Sequence, residues 1–278
     1  MPSGAARLAG VIGWPVSHSR SPRLHGFWLD AYGIDGAYVP LAVPPDRFEQ
    51  ALRALPSLGF RGANVTVPHK EAALALADRA DDHARRIGAA NTIVVGDDGA
   101  LQASNTDGFG FLEHLRATAP TWSPNAPALV LGAGGASRAV IVALLDAGVP
   151  EIRLANRTAA RADALAGELG GPITPLPWEA RGAATDACGL VVNTTTLGMT
   201  GQQPLDMTLD GVGKGAVVYD LVYAPLETPL LAEARRRGLA TVDGLGMLLH
   251  QARPGFAAWF GHEPDVTDEL YRFVAEGL

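Results

Sequence analysis

Short apolar runs of strand length alternate with amphipathic stretches along this chain, and clusters of Gly, Pro, Ser and Asn separate them. Val11, Ile12 and Gly13 read as a buried strand that opens into a Ser- and Pro-rich loop at 14–22, with a helix following to Tyr32. Phe48, Leu52 and Leu55 recur at helical spacing behind Asp46 and Glu49, whose three-residue separation predicts a capping box, and Gly59 lies just past the helix end. The run 63–67 predicts a strand. Pro68 is expected as the first residue of the next helix, where no backbone N–H is needed, so His69 and Lys70 fall at a strand-to-helix junction. Residues 92–95 and 101–103 flank Gly96-Asp97-Asp98-Gly99 and predict two strands around a tight turn, with Asp107 at the exit.

The polar stretch 118–127, with its three prolines, is the best candidate for a domain boundary. After it come a strand at 128–131, a glycine loop at 132–137, a helix to Ala147 stopped by Gly148, and a strand at 151–155. Strand, helix and strand with this punctuation form a βαβ unit of a parallel sheet. Further strands at 190–192, 216–221 and 239–242 alternate with helical segments, notably 230–237, which predicts a doubly wound second domain. Helices at 247–260 and 265–277 close the chain and are expected to return to the first domain.

Length and charge narrow the function classes. With 278 residues there is room for two domains, and 22 basic against 29 acidic side chains give a formal charge of −7. That balance exerts no pull on a phosphate backbone, so no nucleic-acid partner is expected. The single cysteine, Cys188, excludes an intrachain disulfide and suits a reducing, cytoplasmic setting. The densest apolar run, 139–145, is far shorter than the roughly 20 residues that span a bilayer, and 1–13 lacks the apolar core of a signal peptide, so no membrane partner is expected.

The loop Gly132-Ala133-Gly134-Gly135-Ala136-Ser137 fits a dinucleotide fingerprint in its first two glycines, one for the tight turn and one for backbone approach to a pyrophosphate at the helix head. Ser137 departs from the usual Gly or Ala. At the end of the following strand, where an NAD site carries an acid for the ribose hydroxyl, the chain has Asn156-Arg157-Thr158 and then Arg161. The missing carboxylate and the arginines select NADP, against the plainer reading of a solvated arginine beside a Thr158 helix cap. The seven histidines lack metal-ligand spacing, so no metal is expected.

The first half instead sets Ser17, Ser19, Thr66, Lys70, Asn91, Asn105, Thr106 and Asp107 at strand exits. Any one of them is a plausible turn or cap, but together they suit a small, highly hydroxylated substrate, each of whose OH groups needs a partner. Lys70 in a first helical turn faces the positive end of the helix dipole, which disfavours its charge unless a carboxylate such as Asp107 compensates. His69 is the rival acid/base by intrinsic pKa, and residue type alone does not choose between them.

In order along the chain, His18-Ser19-Arg20-Ser21-Pro22, Asn64-Val65-Thr66-Val67-Pro68-His69-Lys70, Gly88-Ala89-Ala90-Asn91-Thr92, Asn105-Thr106-Asp107, Asn156-Arg157-Thr158, 218–223 and 243–248 resemble the shikimate dehydrogenase family. The resemblance implies reversible NADP-linked oxidation of shikimate to 3-dehydroshikimate, a step toward chorismate and the aromatic amino acids. It implies a mixed-sheet α/β substrate domain (1–118, completed by 245–278) and a Rossmann-type NADP domain (119–244), with the substrate in the cleft between them. By the same resemblance Lys70 and Asp107 are the catalytic pair, Ser17 and Ser19 hold the substrate carboxylate with Tyr223 nearby, and Thr66, Asn91 and Gln251 surround the ring hydroxyls. Thr194, Leu221 and Gly244 join the glycine loop on the cofactor side. Asn193-Thr194-Thr195 stands where the family often has Asn-Ala-Thr, and Gly26 where Asn commonly follows the histidine. A quinate/shikimate or aminoshikimate paralogue and a non-catalytic NADP-binding regulator are the alternatives. The working form is expected to be a monomer or homodimer.

Overall fold

The computed structural model describes all 278 residues, which divide into two compact units, Met1–Thr106 with Gln251–Val274 and Asp107–His250 with Ala275–Leu278. The division falls ahead of the proline-rich stretch at 118–127. Phe111 and Leu115 of the helix Asp107–Thr118 belong to the second unit's core, and Gly108 fits so closely that a Cβ there would lie 3.1 Å from the Ala139 carbonyl oxygen.

The first unit runs β1 (Arg7–Gly13), α1 (Ser21–Ala31), β2 (Gly36–Ala42), α2 (Phe48–Ala54), β3 (Phe60–Val65), α3 (Lys70–Leu76), β4 (Arg79–Ala80), α4 (Asp82–Ile87), β5 (Thr92–Val95) and β6 (Leu101–Ser104). Its six strands lie in the order β2-β1-β3-β5-β6-β4. β1, β2 and β3 are parallel, whereas β5 is antiparallel to β3 and β6, so the sheet is mixed. Register brings several of the predicted site positions to one edge. Ile12 pairs with Val65, so the Ser17 loop and Thr66 leave the ends of β1 and β3 side by side. Thr92 pairs with both Asn64 and Ser104, so Asn91 enters, and Asn105 leaves, at the same edge.

Two local expectations are corrected here. Residues Pro45–Arg47 form a 3-10 turn, α2 begins at Phe48, and Asp46 makes no cap; Glu49 spends its carboxylate on Arg53, 2.9 Å away and one helical turn on. Pro68 also lies before its helix, because the His69 N–H bonds the Thr66 carbonyl (2.9 Å) and closes a turn through Pro68, so α3 starts at Lys70.

The second unit opens with α5 (Asp107–Thr118) and continues β7 (Ala128–Leu131), α6 (Gly135–Asp146), β8 (Ile152–Asn156), α7 (Ala159–Leu169), β9 (Ile173–Pro177), β10 (Leu190–Asn193), β11 (Val217–Asp220), α8 (Pro229–Arg236) and β12 (Ala240–Val242). The order β12-β11-β10-β7-β8-β9, parallel throughout, is doubly wound and reverses between β7 and β10. Strands buried on both faces read as continuous apolar runs, as in Leu129-Val130-Leu131 and Val191-Val192. α9 (Leu245–Phe260) and α10 (Asp268–Ala275) end the chain, and the division between units passes through α9 at Gln251. No helix is long and apolar enough to cross a membrane.

Candidate functional site

In the second unit the reversal point of the sheet forms the crevice at which doubly wound folds bind ligands. Gly132 leaves β7 with φ +106, and a Cβ on it would come within 2.8 Å of Thr194 Oγ1, so the turn requires glycine. Gly134 and Gly135 differ: a Cβ on either meets nothing within 4 Å, which leaves the backbone open to a close-lying ligand. The N–H of Ala133 donates to Asn156 Oδ1 (3.1 Å), and Asn156 Nδ2 donates to the Thr158 carbonyl (2.9 Å), so Asn156 joins the glycine loop to the arginine turn.

Ser137, the departure from the fingerprint, has a structural reason. Its Oγ accepts the Gly134 N–H (2.8 Å) and lies 3.0 Å from Thr194 Oγ1, which donates to the Leu131 carbonyl (2.6 Å). A buried hydroxyl thus ties the loop to the next strand end. The amides of Gly135 and Ala136 head α6, whose first turn has no intrahelical acceptors for them. Arg157, Thr158 and Arg161 are exposed beyond β8. Thr158 stands at the N-terminal boundary of α7 but its side chain makes no cap bond. Open glycines, an unpartnered helix head and arginines in place of an acid fit a dinucleotide bearing a 2′-phosphate.

Asn193 and Asp220 brace the same edge. Asn193 Nδ2 donates to Asp220 Oδ1 (2.8 Å), Thr228 Oγ1 donates to Asp220 Oδ2 (2.6 Å), and the Thr195 N–H donates to Asn193 Oδ1 (3.0 Å), which fixes the loop carrying Thr194. Burial raises the Asp220 carboxyl above the usual range, against the pull of its hydrogen bonds. Leu221 and Tyr223 are half-buried after β11, and a Cβ on Gly244 would lie 2.0 Å from the Leu221 carbonyl oxygen, so that crossing also demands glycine. Asp107 is buried as the first residue of α5.

The first unit gathers most of the other predicted residues. Ser17 is exposed and Ser19 half-buried in the loop after β1, with Ser19 Oγ accepting the Ser21 N–H (3.3 Å). Thr66 and Lys70 are half-buried past β3. Asn91 is buried at the centre of a polar cluster: its Nδ2 donates to Thr106 Oγ1 (3.0 Å) and Gln251 Oε1 (3.1 Å), and its Oδ1 accepts the Thr106 N–H (2.9 Å). Thr106 Oγ1 in turn donates to the Gln251 carbonyl (2.8 Å), which fastens α9 to the strand edge. Asn105 Nδ2 donates to the Ala89 carbonyl (2.8 Å), a turn role.

His69 separates from Lys70 by its contacts. Its ring stacks on Phe48 at 4.3 Å and 4°, and Nε2 bonds the Val43 carbonyl at 2.7 Å, so the imidazole is committed to packing. Asn64, Thr92 and Tyr38 are polar members of the cluster to which the sequence assigned no individual role. Asn64 in the otherwise apolar end of β3 was the available signal, since a buried amide there must have partners. No group of three or more His, Cys, Asp or Glu side chains is placed to hold a metal.

Comparison with known proteins agrees across the whole chain. Family models match the shikimate dehydrogenase substrate-binding domain at residues 11–93, shikimate/quinate 5-dehydrogenase at 118–196 and the shikimate 5'-dehydrogenase C-terminal domain at 244–268. Shikimate dehydrogenase (NADP(+)) of Paramagnetospirillum magneticum is 63% identical over 273 residues, 98% of this chain and 99% of that one. The crystal structure of Thermus thermophilus shikimate 5-dehydrogenase in complex with NADP(H) and shikimate is 39% identical, covers 98% of this chain and 100% of its own, and has a TM-score of 0.87. Quinate dehydrogenase from Corynebacterium glutamicum in complex with NAD is 31% identical over 96% of this chain and 98% of its own, with a TM-score of 0.89. The chain therefore belongs to the shikimate dehydrogenase family.

Proposed function

We infer that the chain oxidises shikimate reversibly to 3-dehydroshikimate with NADP, the step that the family contributes to chorismate formation. The observation that carries this reading is 63% identity, over 98% of the chain, to a relative named for that activity and cofactor. The exposed Arg157 and Arg161, with no acid at the end of β8, support NADP over NAD.

Oxidation of a secondary alcohol removes a proton from oxygen and a hydride from carbon. NADP, when bound, is the hydride acceptor, and the chain must manage the proton and the alignment. Lys70 and Asp107 are assigned as the acid/base pair that takes the C3 hydroxyl proton by their match to the family's motif, and the packing contacts that hold His69 support that choice. Ser17 and Ser19 hold the carboxylate with Tyr223 nearby, and Thr66, Asn91 and Gln251 hold the ring hydroxyls. Gly132 to Ala136, Asn156, Arg157, Thr158, Arg161, Thr194, Leu221 and Gly244 form the cofactor side. No metal enters this scheme. The enzyme works in the cytoplasm as a monomer or homodimer, and a lone buried thiol, Cys188, suits a reducing compartment.

The test is turnover of purified protein with shikimate and with quinate, each against NADP and NAD. Shikimate with NADP gives the highest kcat/KM. A preference for quinate with NAD replaces this assignment by the quinate reading, and tight NADP binding without turnover on either acid replaces it by a regulatory one.

A further inference from the structure

We propose that Tyr38 is a positioning residue whose hydroxyl fixes the Asn64 amide that braces the cluster around Asn91, an inference that rests on the reading of that cluster as part of the substrate site. Tyr38 sits in β2, with its ring buried and stacked on His25 at 3.8 Å and 6°. A phenylalanine serves that stack equally well. The oxygen does something else: it donates to Asn64 Oδ1 at 2.7 Å.

The bonds run in one direction. With its Oδ1 occupied, Asn64 presents its amide nitrogen to the Asn91 carbonyl (3.2 Å) and to Thr92 Oγ1 (3.2 Å). Thr92 Oγ1 then donates to Asn91 Oδ1 (3.0 Å). Asn91 Nδ2 is left to face Thr106 and Gln251.

Removing the oxygen leaves Asn64 Oδ1 buried without its donor and frees its amide to turn away from the Asn91 carbonyl and Thr92 Oγ1, which loosens the hydroxyl that donates to Asn91 Oδ1. The Thr106 N–H still holds Asn91 Oδ1, so the site loosens without collapsing. One neutral hydrogen bond of this kind corresponds to roughly a 3- to 10-fold change in affinity.

The experiment is Tyr38→Phe, assayed for shikimate and NADP kinetics beside wild type. The shikimate KM rises about 3- to 10-fold while the NADP KM stays within twofold and the circular dichroism spectrum is unchanged. A shikimate KM within twofold of wild type overturns the proposal, and so does an equal rise in both KM values, which reports general loosening. In an Asn91→Ala background, or Asn91→Ser should the alanine variant not fold, Tyr38→Phe adds less than twofold; a full added effect there overturns the route through Asn91. Wild-type enzyme that ignores shikimate refutes the functional reading itself, so the two failures are distinguishable.

Discussion

His25 lies at the middle of the first unit's aromatic core, stacked on Tyr38 and within 5.7–5.8 Å of the rings of Trp28, Phe256 and Trp259. Neither ring nitrogen has a hydrogen-bond partner, and burial pushes the imidazole down to about 3 from 6.5, with neighbouring Asn64 pulling weakly upward. The folded state therefore keeps His25 neutral while the unfolded chain takes up a proton as pH falls through 6.5. Stability from this group is complete above pH 6.5 and declines steadily below it, until the folded state also protonates near 3. With those two values the loss is about 1.4 kcal/mol at pH 5.5 and about 2.7 kcal/mol at pH 4.5, relative to pH 7.5. His25→Phe keeps a flat ring in the stack and removes the titration. Urea unfolding of both proteins, followed by the emission of Trp28 and Trp259 beside the site, gives profiles that separate by these amounts between pH 7.5 and 4.5. Other titrating groups, including His114, whose pKa burial also lowers, are common to both proteins and cancel in the difference. Parallel profiles for wild type and variant refute the buried-histidine account.

Three further outcomes bear on the chemistry. Arg157→Ala weakens NADP by about 1.5 kcal/mol, the low end for a charge-assisted bond because the side chain is exposed, and leaves NAD unchanged; equal losses for both cofactors in competition assays refute the 2′-phosphate assignment. Lys70→Ala lowers kcat by roughly 10²- to 10⁴-fold with a modest change in shikimate affinity, whereas His69→Ala lowers the melting temperature by losing the Phe48 stack and the Val43 bond while retaining most turnover; the opposite pattern transfers the catalytic role to the histidine. Gly132→Ala destabilises the apo-enzyme by roughly 1 to 3 kcal/mol through its positive φ and the Thr194 contact, whereas Gly134→Ala leaves apo stability unchanged and raises the NADP KM; wild-type NADP kinetics in Gly134→Ala refute backbone approach at that glycine.

What was legible in the sequence followed locality. The glycine loop, the βαβ unit and the β5–β6 hairpin declare themselves within a dozen or so residues, and all stand near their expected limits. β2 escaped notice because its segment, Gly36-Ala37-Tyr38-Val39-Pro40-Leu41-Ala42, is short on alternation and contains a proline, which a sheet tolerates because β2 is an edge strand. α4 escaped because only Ala84 and Ile87 of its six residues are buried. Asp46 and Glu49 had capping-box spacing, yet an Arg53 one turn away took the carboxylate.

The site was legible as a set of residue types but not as a set of connections. Asn91 meets Gln251 across 160 positions, and Thr106 meets it across 145, so no window along the chain contains both ends of either bond. The contacts that commit His69 to packing come from Phe48 and Val43, which precede it by more than a helix and a strand. Asn64 is the instructive middle case. A single amide near the end of an apolar strand says that partners exist, since an unpaired buried polar group costs about 1 to 3 kcal/mol. It does not say whether they lie in the next strand or in another layer. Tyr38, in a strand two places across the sheet, answers for one side of that amide, and Asn91 and Thr92, in the strand on its other side, answer for the rest. The sequence therefore displays the need for a network while the sheet order decides its members, and only the sheet order reveals that a phenol oxygen in β2 reaches the amide in β3.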